Sequence, residues 1–249
     1  DRYLVTSDAL ILFLNTSLYT EDKDEMLECF QYYKANSSQK NMKDIDGFIY
    51  EESQFFTDIV SSQAVDPTTH KLIIVGHHPI VSVRELKLTK RLSHDGLRLL
   101  DELYSTFGSK DNYYLCADVH QYQSGEVIIN DNRITQYVVG TGGTGLDDIN
   151  CKTNMKYNIY ESGEITLSYD MRECDNKHYG YLLYENGEFN FIKVNTNPDS
   201  RYSIVTKSPT FRKARSRKPT KVATSRFALP SHLRNAFESP RSPSRTRRR

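Results

Sequence analysis

The chain has 249 residues, and its 33 Lys and Arg against 32 Asp and Glu conceal two oppositely charged parts. Residues 1–200 carry 18 basic and 31 acidic side chains, whereas residues 201–249 carry 15 basic side chains and one acidic side chain. No apolar stretch is long enough for a transmembrane helix, and no Cys-x-x-Cys pair indicates a zinc knuckle or a redox dithiol. We therefore expect an acidic globular part joined to a basic interaction tail.

Hydrophobic periodicity predicts strands that alternate with helices in the first half of the chain. Two continuous apolar runs, at 9–14 and 71–75, are typical of strands buried on both faces. Three segments have apolar residues at helical spacing, and they span 22–35, 48–60 and 94–107. Ser93 directly precedes the last of these helices and is a suitable N-cap for it.

Strands in series are predicted for the second half of the chain. The apolar segments at 113–117, 126–129 and 134–139 are the first of them, with a turn at 130–132 between the last two. Asn186-Gly187 separates two further strand-like segments, which is the strongest short sequence signal for a β-hairpin. Strands alternating with helices, followed by strands in series, predict an α/β layered domain.

The last part of the chain has a different composition, and we expect a boundary near residue 198. Residues 201–249 contain no Gly, five Pro and few apolar residues. Such a segment cannot bury enough apolar surface to offset an ordering entropy of roughly 1–2 kcal/mol per residue, so 199–249 is predicted to be disordered. Its basic side chains suit nucleic acid or another acidic partner, and a solvated or targeting tail is the alternative. The candidate binding residues are Arg212, Lys213, Arg215, Arg217, Lys218, Arg247, Arg248 and Arg249.

Two loops that follow predicted strands carry histidine. The first, at 75–79, has the sequence VGHHP, in which Gly76 permits an unusual backbone turn. The second, at 116–120, has the sequence CADVH, and Asp118 and His120 should point the same way if this segment is extended. Because α/β proteins bind ligands at the carboxyl ends of strands, these loops predict a metal site. Ordinary hydrogen-bonded or exposed histidines are the alternative interpretation.

A glycine-rich loop follows the strand predicted at 134–139. Residues 140–145 have the sequence GTGGTG, and their backbone N–H groups could cradle a phosphate. The loop has no Lys and does not match a P-loop. A flexible turn between two strands is therefore an equal alternative for this segment.

The motifs together resemble the second half of a calcineurin-like metallophosphoesterase, most closely a purple acid phosphatase. VGHHP at 75–79 resembles the Gly-His-x-Pro motif of that family, and SHDG at 93–96 resembles its following His-Gly segment. YLCADVH at 114–120 resembles the stretch that holds a Gly-His-x-His motif, and VVGTGG at 138–143 resembles the strand and loop after it. The resemblance covers about residues 3 to 195, and it depends on the order and spacing of the four segments together.

The resemblance implies a layered α/β/β/α sandwich, of which residues 1–198 form the second half. It implies an enzyme that hydrolyses phosphomonoesters, with a phosphorylated small molecule or protein as the substrate. Water activated by two metal ions (Fe with Fe, Zn or Mn) would attack the phosphate. It places the metal ligands at His77, Asp118 and His120, and a histidine that contacts the phosphate at His94. His78, Gly142 and Gly143 are placed around the phosphate or behind the ligands.

The chain also departs from the family pattern. Asp118 stands where the family has the first His of Gly-His-x-His, and Ala117 replaces the Gly of that motif. The first-half motifs of the family, which supply most ligands of the first metal, do not occur in the 249 residues. We therefore expect either a piece of a longer enzyme or a degenerate pseudophosphatase. The latter would act as a nucleic-acid or protein binder through its tail.

Overall fold

The computed structural model describes residues 2–36, 44–62, 65–84, 87–141, 146–147, 153, 155–162 and 165–194. The predicted tail at 199–249 and two candidate phosphate-binding residues, Gly142 and Gly143, lie outside the described residues. Across the part of the chain that is described, no helix has the length and apolar character needed to cross a membrane.

Three α-helices and twelve strands form within the described residues. The helices are α1 (Lys23–Asn36), α2 (Ile45–Val60) and α3 (His94–Phe107), so all three predicted helices are confirmed. The strands are β1 (Tyr3–Val5), β2 (Ala9–Phe13), β3 (Lys71–Val75), β4 (Val81–Arg84), β5 (Lys87–Lys90), β6 (Asn112–Cys116), β7 (Tyr122–Ile129), β8 (Asn132–Val139), β9 (Met155–Ser162), β10 (Ile165–Asp175), β11 (Tyr179–Glu185) and β12 (Glu188–Val194).

A mixed eight-stranded sheet forms the centre of the fold, which confirms the predicted α/β class. Its strand order is β1-β2-β3-β6-β8-β7-β10-β9. Strands β2, β3, β6 and β8 run parallel to their neighbours in this series, and the other pairs in the sheet are antiparallel. The carboxyl ends of these four parallel strands therefore lie along one edge of the sheet, which we call the carboxyl edge.

Helices α2 and α3 share an apolar core with this sheet. Leu10 of β2 pairs in register with Leu72 of β3, and both side chains are fully buried. Phe56 of α2 and Leu103 of α3 belong to the same apolar core. The sheet face away from this core is less covered at β2, where Phe13 is 45% exposed. The position of the strand predicted at 9–14 is thus confirmed. The prediction that it is buried on both faces was wrong, because β1 and β2 lie at the margin of the sheet.

The hairpin β11–β12 covers part of the opposite face. Its turn has positive φ at both Asn186 (55°) and Gly187 (82°), which is the turn that the Asn-Gly pair predicts. The ring of Phe189 packs against Tyr113 and Tyr137 of the central sheet, with centroids 5.0 and 5.3 Å apart. The predicted hairpin is therefore confirmed, and aromatic contacts fix it on the sheet.

Strand β4 pairs with β5, and buried glutamine side chains hold its backbone. The Gln136 side chain accepts hydrogen bonds from the N–H groups of Ile80 (2.8 Å) and Val81 (3.3 Å) and donates one to the carbonyl of Val81 (2.7 Å). The Gln123 side chain does the same for Val83, accepting at 3.1 Å and donating at 2.7 Å. These amides anchor β4 to the central sheet, and they set the position of the segment that leads into α3.

We predict that Gln136→Leu lowers the free energy of unfolding by about 3 kcal/mol or more. The substitution leaves three buried backbone groups without partners, and each such group costs about 1–3 kcal/mol. Urea unfolding monitored by circular dichroism measures the change. Gln31→Leu, at an exposed position of α1, is the matched control and should stay within about 0.5 kcal/mol of the unsubstituted chain. Equal stability of the two variants would contradict the anchoring role.

Candidate functional site

The two histidine-bearing loops meet at the carboxyl edge, as their positions after parallel strands predict. The N–H of Gly76 donates to the carbonyl of Leu115 (2.9 Å), and the N–H of Ala117 donates to the carbonyl of His77 (2.9 Å). These bonds continue the β3–β6 pairing beyond the ends of the two strands. His77, His78 and Asp118 are therefore held side by side by backbone geometry.

Thr16, which begins the 3-10 turn after β2, connects this edge to β2. Its hydroxyl oxygen accepts hydrogen bonds from the N–H groups of His77 (3.0 Å) and His78 (2.9 Å). The same oxygen lies 3.1 Å from Nδ1 of the His78 ring. Thr16 is fully buried, so the hydroxyl replaces water for all three groups.

His78 faces the protein interior. Its ring is buried, Nε2 lies 3.0 Å from Oε1 of Glu25 on α1, and its carbonyl accepts a hydrogen bond from the Tyr114 hydroxyl at 2.7 Å. Burial lowers the pKa of His78 below its usual value, although the nearby Glu25 carboxylate acts in the opposite direction. Burial thus favours the neutral form of His78.

Gly76 is needed for close packing, which corrects the reason expected from the sequence. Among the described glycines, positive φ occurs at Gly108 and Gly187, so Gly76 does not need a left-handed backbone. A Cβ atom on Gly76 would instead lie 2.5 Å from Cγ2 of Thr16 and 2.7 Å from the hydroxyl oxygen of Tyr114. Any side chain here would displace the two groups that hold His78.

Potential metal-ligating atoms of His77, His78 and Asp118 lie within 4.8 Å of one another. Nε2 of His77 is 4.0 Å from Oδ1 of Asp118, and the His77 side chain is 61% exposed. The two imidazole rings meet edge to face, with an interplanar angle of 79°. His77 therefore faces solvent beside Asp118, while His78 turns inward.

Asp118 is paired with a basic side chain from the segment that precedes α3. Nε of Arg91 lies 3.2 Å from Oδ2 of Asp118, and a terminal nitrogen lies 3.5 Å from Oδ1. Arg91 and Asp118 thus form an ion pair, but their distances are longer than those of a tight bidentate arginine–carboxylate pair. Because the guanidinium already balances the carboxylate, a metal ion at Asp118 must compete with Arg91 for its charge.

The extended segment expected at Asp118 and His120 does not form, so the ground for a shared direction of their side chains was wrong. The segment is not extended, since the N–H of Val119 donates to the carbonyl of Ala117 (2.7 Å) and Asp118 has a φ of 61°. Asp118 therefore lies in a tight turn. Nδ1 of His120 lies 3.8 Å from Oδ1 of Asp147, whose other carboxylate oxygen accepts from the His120 N–H at 3.0 Å.

His94 is the exposed first residue of α3. The predicted N-cap is confirmed, because the Ser93 side chain accepts from the N–H of Gly96 at 3.2 Å. The N–H of Ser93 donates to the carbonyl of Tyr19 at 2.7 Å, just beyond the 3-10 turn that follows β2. The amino end of α3 thus lies near the carboxyl edge, where a phosphate-contacting histidine was expected.

Four contributors to this edge were missed from the sequence: Thr16, Glu25, Arg91 and Asp147. They lie in segments that are far apart along the chain, and none belongs to the quoted motifs. Thr16 offered the best signal, because a hydroxyl residue shortly after a predicted strand is well placed to bind neighbouring backbone groups. Glu25, Arg91 and Asp147 carry no local pattern that distinguishes them from solvated charges.

The described residues do not by themselves complete a dinuclear metal centre, because they bring together potential ligands for one ion. Both ring nitrogens of His78 are engaged, and His120 pairs with Asp147, so His77 and Asp118 are the converging ligands that the described residues offer to an ion. Two such ligands suit one ion whose remaining positions are filled by water or other groups.

No family model and no curated protein matches this chain, so the metallophosphoesterase resemblance rests on its motifs.

We predict that Gly140→Ala lowers the free energy of unfolding by about 3 kcal/mol and disturbs the turn at Asp118. The backbone of Gly140 lies so close to this turn that a Cβ atom would overlap the carbonyl group of Val119. Urea unfolding measures the loss, and amide exchange of residues 117–121 locates it.

Gly47→Ala is the control, because the nearest atom to its new Cβ belongs to a side chain, that of Asp44. Alanine also suits the interior of α2 better than glycine does. A Gly140→Ala variant as stable as Gly47→Ala would show that the close approach does not constrain the turn.

Proposed function

We propose that the carboxyl edge is the site of a metal-dependent phosphoesterase that hydrolyses phosphomonoesters. One observation carries the proposal: His77 and Asp118, from loops after adjacent parallel strands, converge at 4.0 Å within motifs that resemble those of metallophosphoesterases. An exposed histidine beside a carboxylate is a donor pair that Zn, Mn or Fe accepts. The layered α/β/β/α sandwich of that family is part of the same proposal.

Each side chain has a distinct role in this proposal. His77 and Asp118 would hold one divalent ion, which supplies positive charge to the phosphoryl oxygens when bound. Arg91, next to Asp118, provides a guanidinium suited to phosphate oxygens. His94, exposed at the start of α3, would donate a proton to the leaving oxygen. Asp147 holds His120 through its carboxylate.

We predict that His77→Ala abolishes hydrolysis of 4-nitrophenyl phosphate and weakens Zn²⁺ or Mn²⁺ binding roughly 100-fold or more. Residues behind metal ligands already cost 10–100-fold when removed, so a lost ligand costs at least as much. Equilibrium dialysis measures metal binding, and nitrophenolate absorbance measures turnover.

The matched control is His70→Ala. His70 directly precedes β3, at the end of the strand opposite His77, and its ring bonds locally to Thr69 and Asp66. This variant should keep metal affinity and turnover within about twofold. Turnover by His77→Ala equal to that of the unsubstituted chain would overturn the phosphoesterase proposal.

A catalytically degenerate pseudophosphatase is the second candidate, and the Arg91–Asp118 pair favours it. A guanidinium beside a carboxylate satisfies the site without any metal ion. The acidic first part also repels anionic substrates unless cations are added. Function would then depend on the basic residues of 201–249 and on a nucleic acid or acidic protein that they bind.

We predict for this second candidate that the chain binds single-stranded RNA with strong salt dependence and that removal of residues 201–249 abolishes binding. Fluorescence anisotropy at several salt concentrations gives the affinity and its salt slope, which reports the number of phosphates neutralised. A full-length variant with the eight candidate Arg and Lys residues changed to Gln is the matched control for deletion and should lose most of the slope. Binding that survives both changes would exclude the tail as the interaction site.

A further inference from the structure

The hydrogen bonds at Thr16 determine which nitrogen of His78 carries the proton. A hydroxyl group has two lone pairs and one proton. The N–H groups of His77 and His78 both donate to the Thr16 oxygen, at 3.0 and 2.9 Å, and they occupy its two lone pairs. The hydroxyl proton therefore points to Nδ1 of His78, 3.1 Å away, and Nδ1 acts as the acceptor.

The other ring nitrogen of His78 then carries the proton. In a neutral imidazole one nitrogen accepts and the other donates, so Nε2 of His78 has the N–H. Oε1 of Glu25 lies 3.0 Å from this nitrogen and accepts its hydrogen bond. The ring retains no lone pair for a metal ion, although its atoms lie near those of His77 and Asp118.

Glu25, His78 and Thr16 together have the composition of a hydrolase triad, but the environment of Thr16 excludes a role as nucleophile. A nucleophilic hydroxyl must be accessible to substrate and must be free to give its proton to the histidine. Thr16 is 1% exposed, and its oxygen already accepts two backbone hydrogen bonds. The Glu25–His78–Thr16 series is therefore a support for the loop that carries His77.

We propose that Glu25 is a positioning residue, which locks His78 as its Nε2–H tautomer and thereby fixes the exposed His77 beside Asp118. Glu25 lies in the first turn of α1, where Asp22 caps the helix by accepting from the N–H of Glu25 at 3.2 Å. The hydrogen bond to His78 joins α1 to the loop after β3. The inference rests on the proposed function only where metal binding is measured.

The position of Glu25 favours an ionised carboxylate as the acceptor for His78. Its side chain is one-third exposed, so the carboxylate remains partly solvated while it accepts from a buried donor. A carboxylate near the amino end of a helix is also favoured by the helix dipole. Without an acceptor at this point, the buried Nε2–H of His78 would lose its hydrogen bond, and the ring and the His77 backbone next to it would shift toward water.

Three variants test the proposal: Glu25→Ala, Glu25→Gln and the control Glu28→Ala. Glutamine keeps a carbonyl oxygen for the Nε2–H, and Glu28 is an exposed glutamate on the same helix. Long-range ¹H–¹⁵N NMR of the histidine rings identifies the tautomer, and solvent exchange of the ring proton reports its hydrogen bond. The unsubstituted chain, Glu25→Gln and Glu28→Ala should show a slowly exchanging Nε2 proton on His78, and Glu25→Ala should exchange it at least tenfold faster.

Zn²⁺ titration of the same full-length chains gives the second readout. Glu25→Ala should bind Zn²⁺ roughly tenfold more weakly, and Glu25→Gln should restore the affinity. An Nδ1–H tautomer in the unsubstituted chain, or unchanged ring-proton exchange in Glu25→Ala, would overturn the positioning role. Absence of Zn²⁺ binding in every chain would instead overturn the proposed function, and the NMR result would still decide the role of Glu25.

Discussion

The arrangement of the carboxyl edge depends on one buried hydroxyl group. Thr16 joins the end of β2 to the loop after β3 through two accepted hydrogen bonds and one donated bond. Since a threonine hydroxyl offers no further bond, this set is complete and directional. It turns His78 inward, and the edge-to-face contact between the rings leaves His77 facing solvent. The absence of a side chain at Gly76 is what lets Thr16 approach.

A second constraint is electrostatic and comes from outside the central sheet. Buried glutamine amides hold β4, the paired strand β5 leads to Arg91, and Arg91 then meets Asp118. The guanidinium compensates a carboxylate that would otherwise repel phosphate in an already acidic part of the chain. At this edge, the phosphoesterase and pseudophosphatase proposals differ in whether a metal ion displaces this arginine from Asp118.

The sequence predicts most elements of the fold because their signals are local. Helical spacing locates α3, Ser93 marks its start, and Asn186-Gly187 specifies the turn of β11–β12. The site is harder to predict from the sequence, because its contacts join distant segments. Glu25 and His78 are 53 residues apart, and no neighbouring residue indicates that they meet. Paired loops after parallel strands predict that His77 and Asp118 meet, but no local pattern predicts the tight turn at Asp118.

That turn places a non-glycine residue in the left-handed region, and it also creates the donor pair. A non-glycine residue at φ 61° is strained by roughly 1–3 kcal/mol, and surrounding contacts must hold it there. The Ala117–His77 backbone bond, the Arg91 ion pair and the close approach of Gly140 all act on this segment. An extended Asp118 would align with His120, whereas the strained residue lies beside His77. The strain at Asp118 is thus the local cost of a turn that places its carboxylate beside His77.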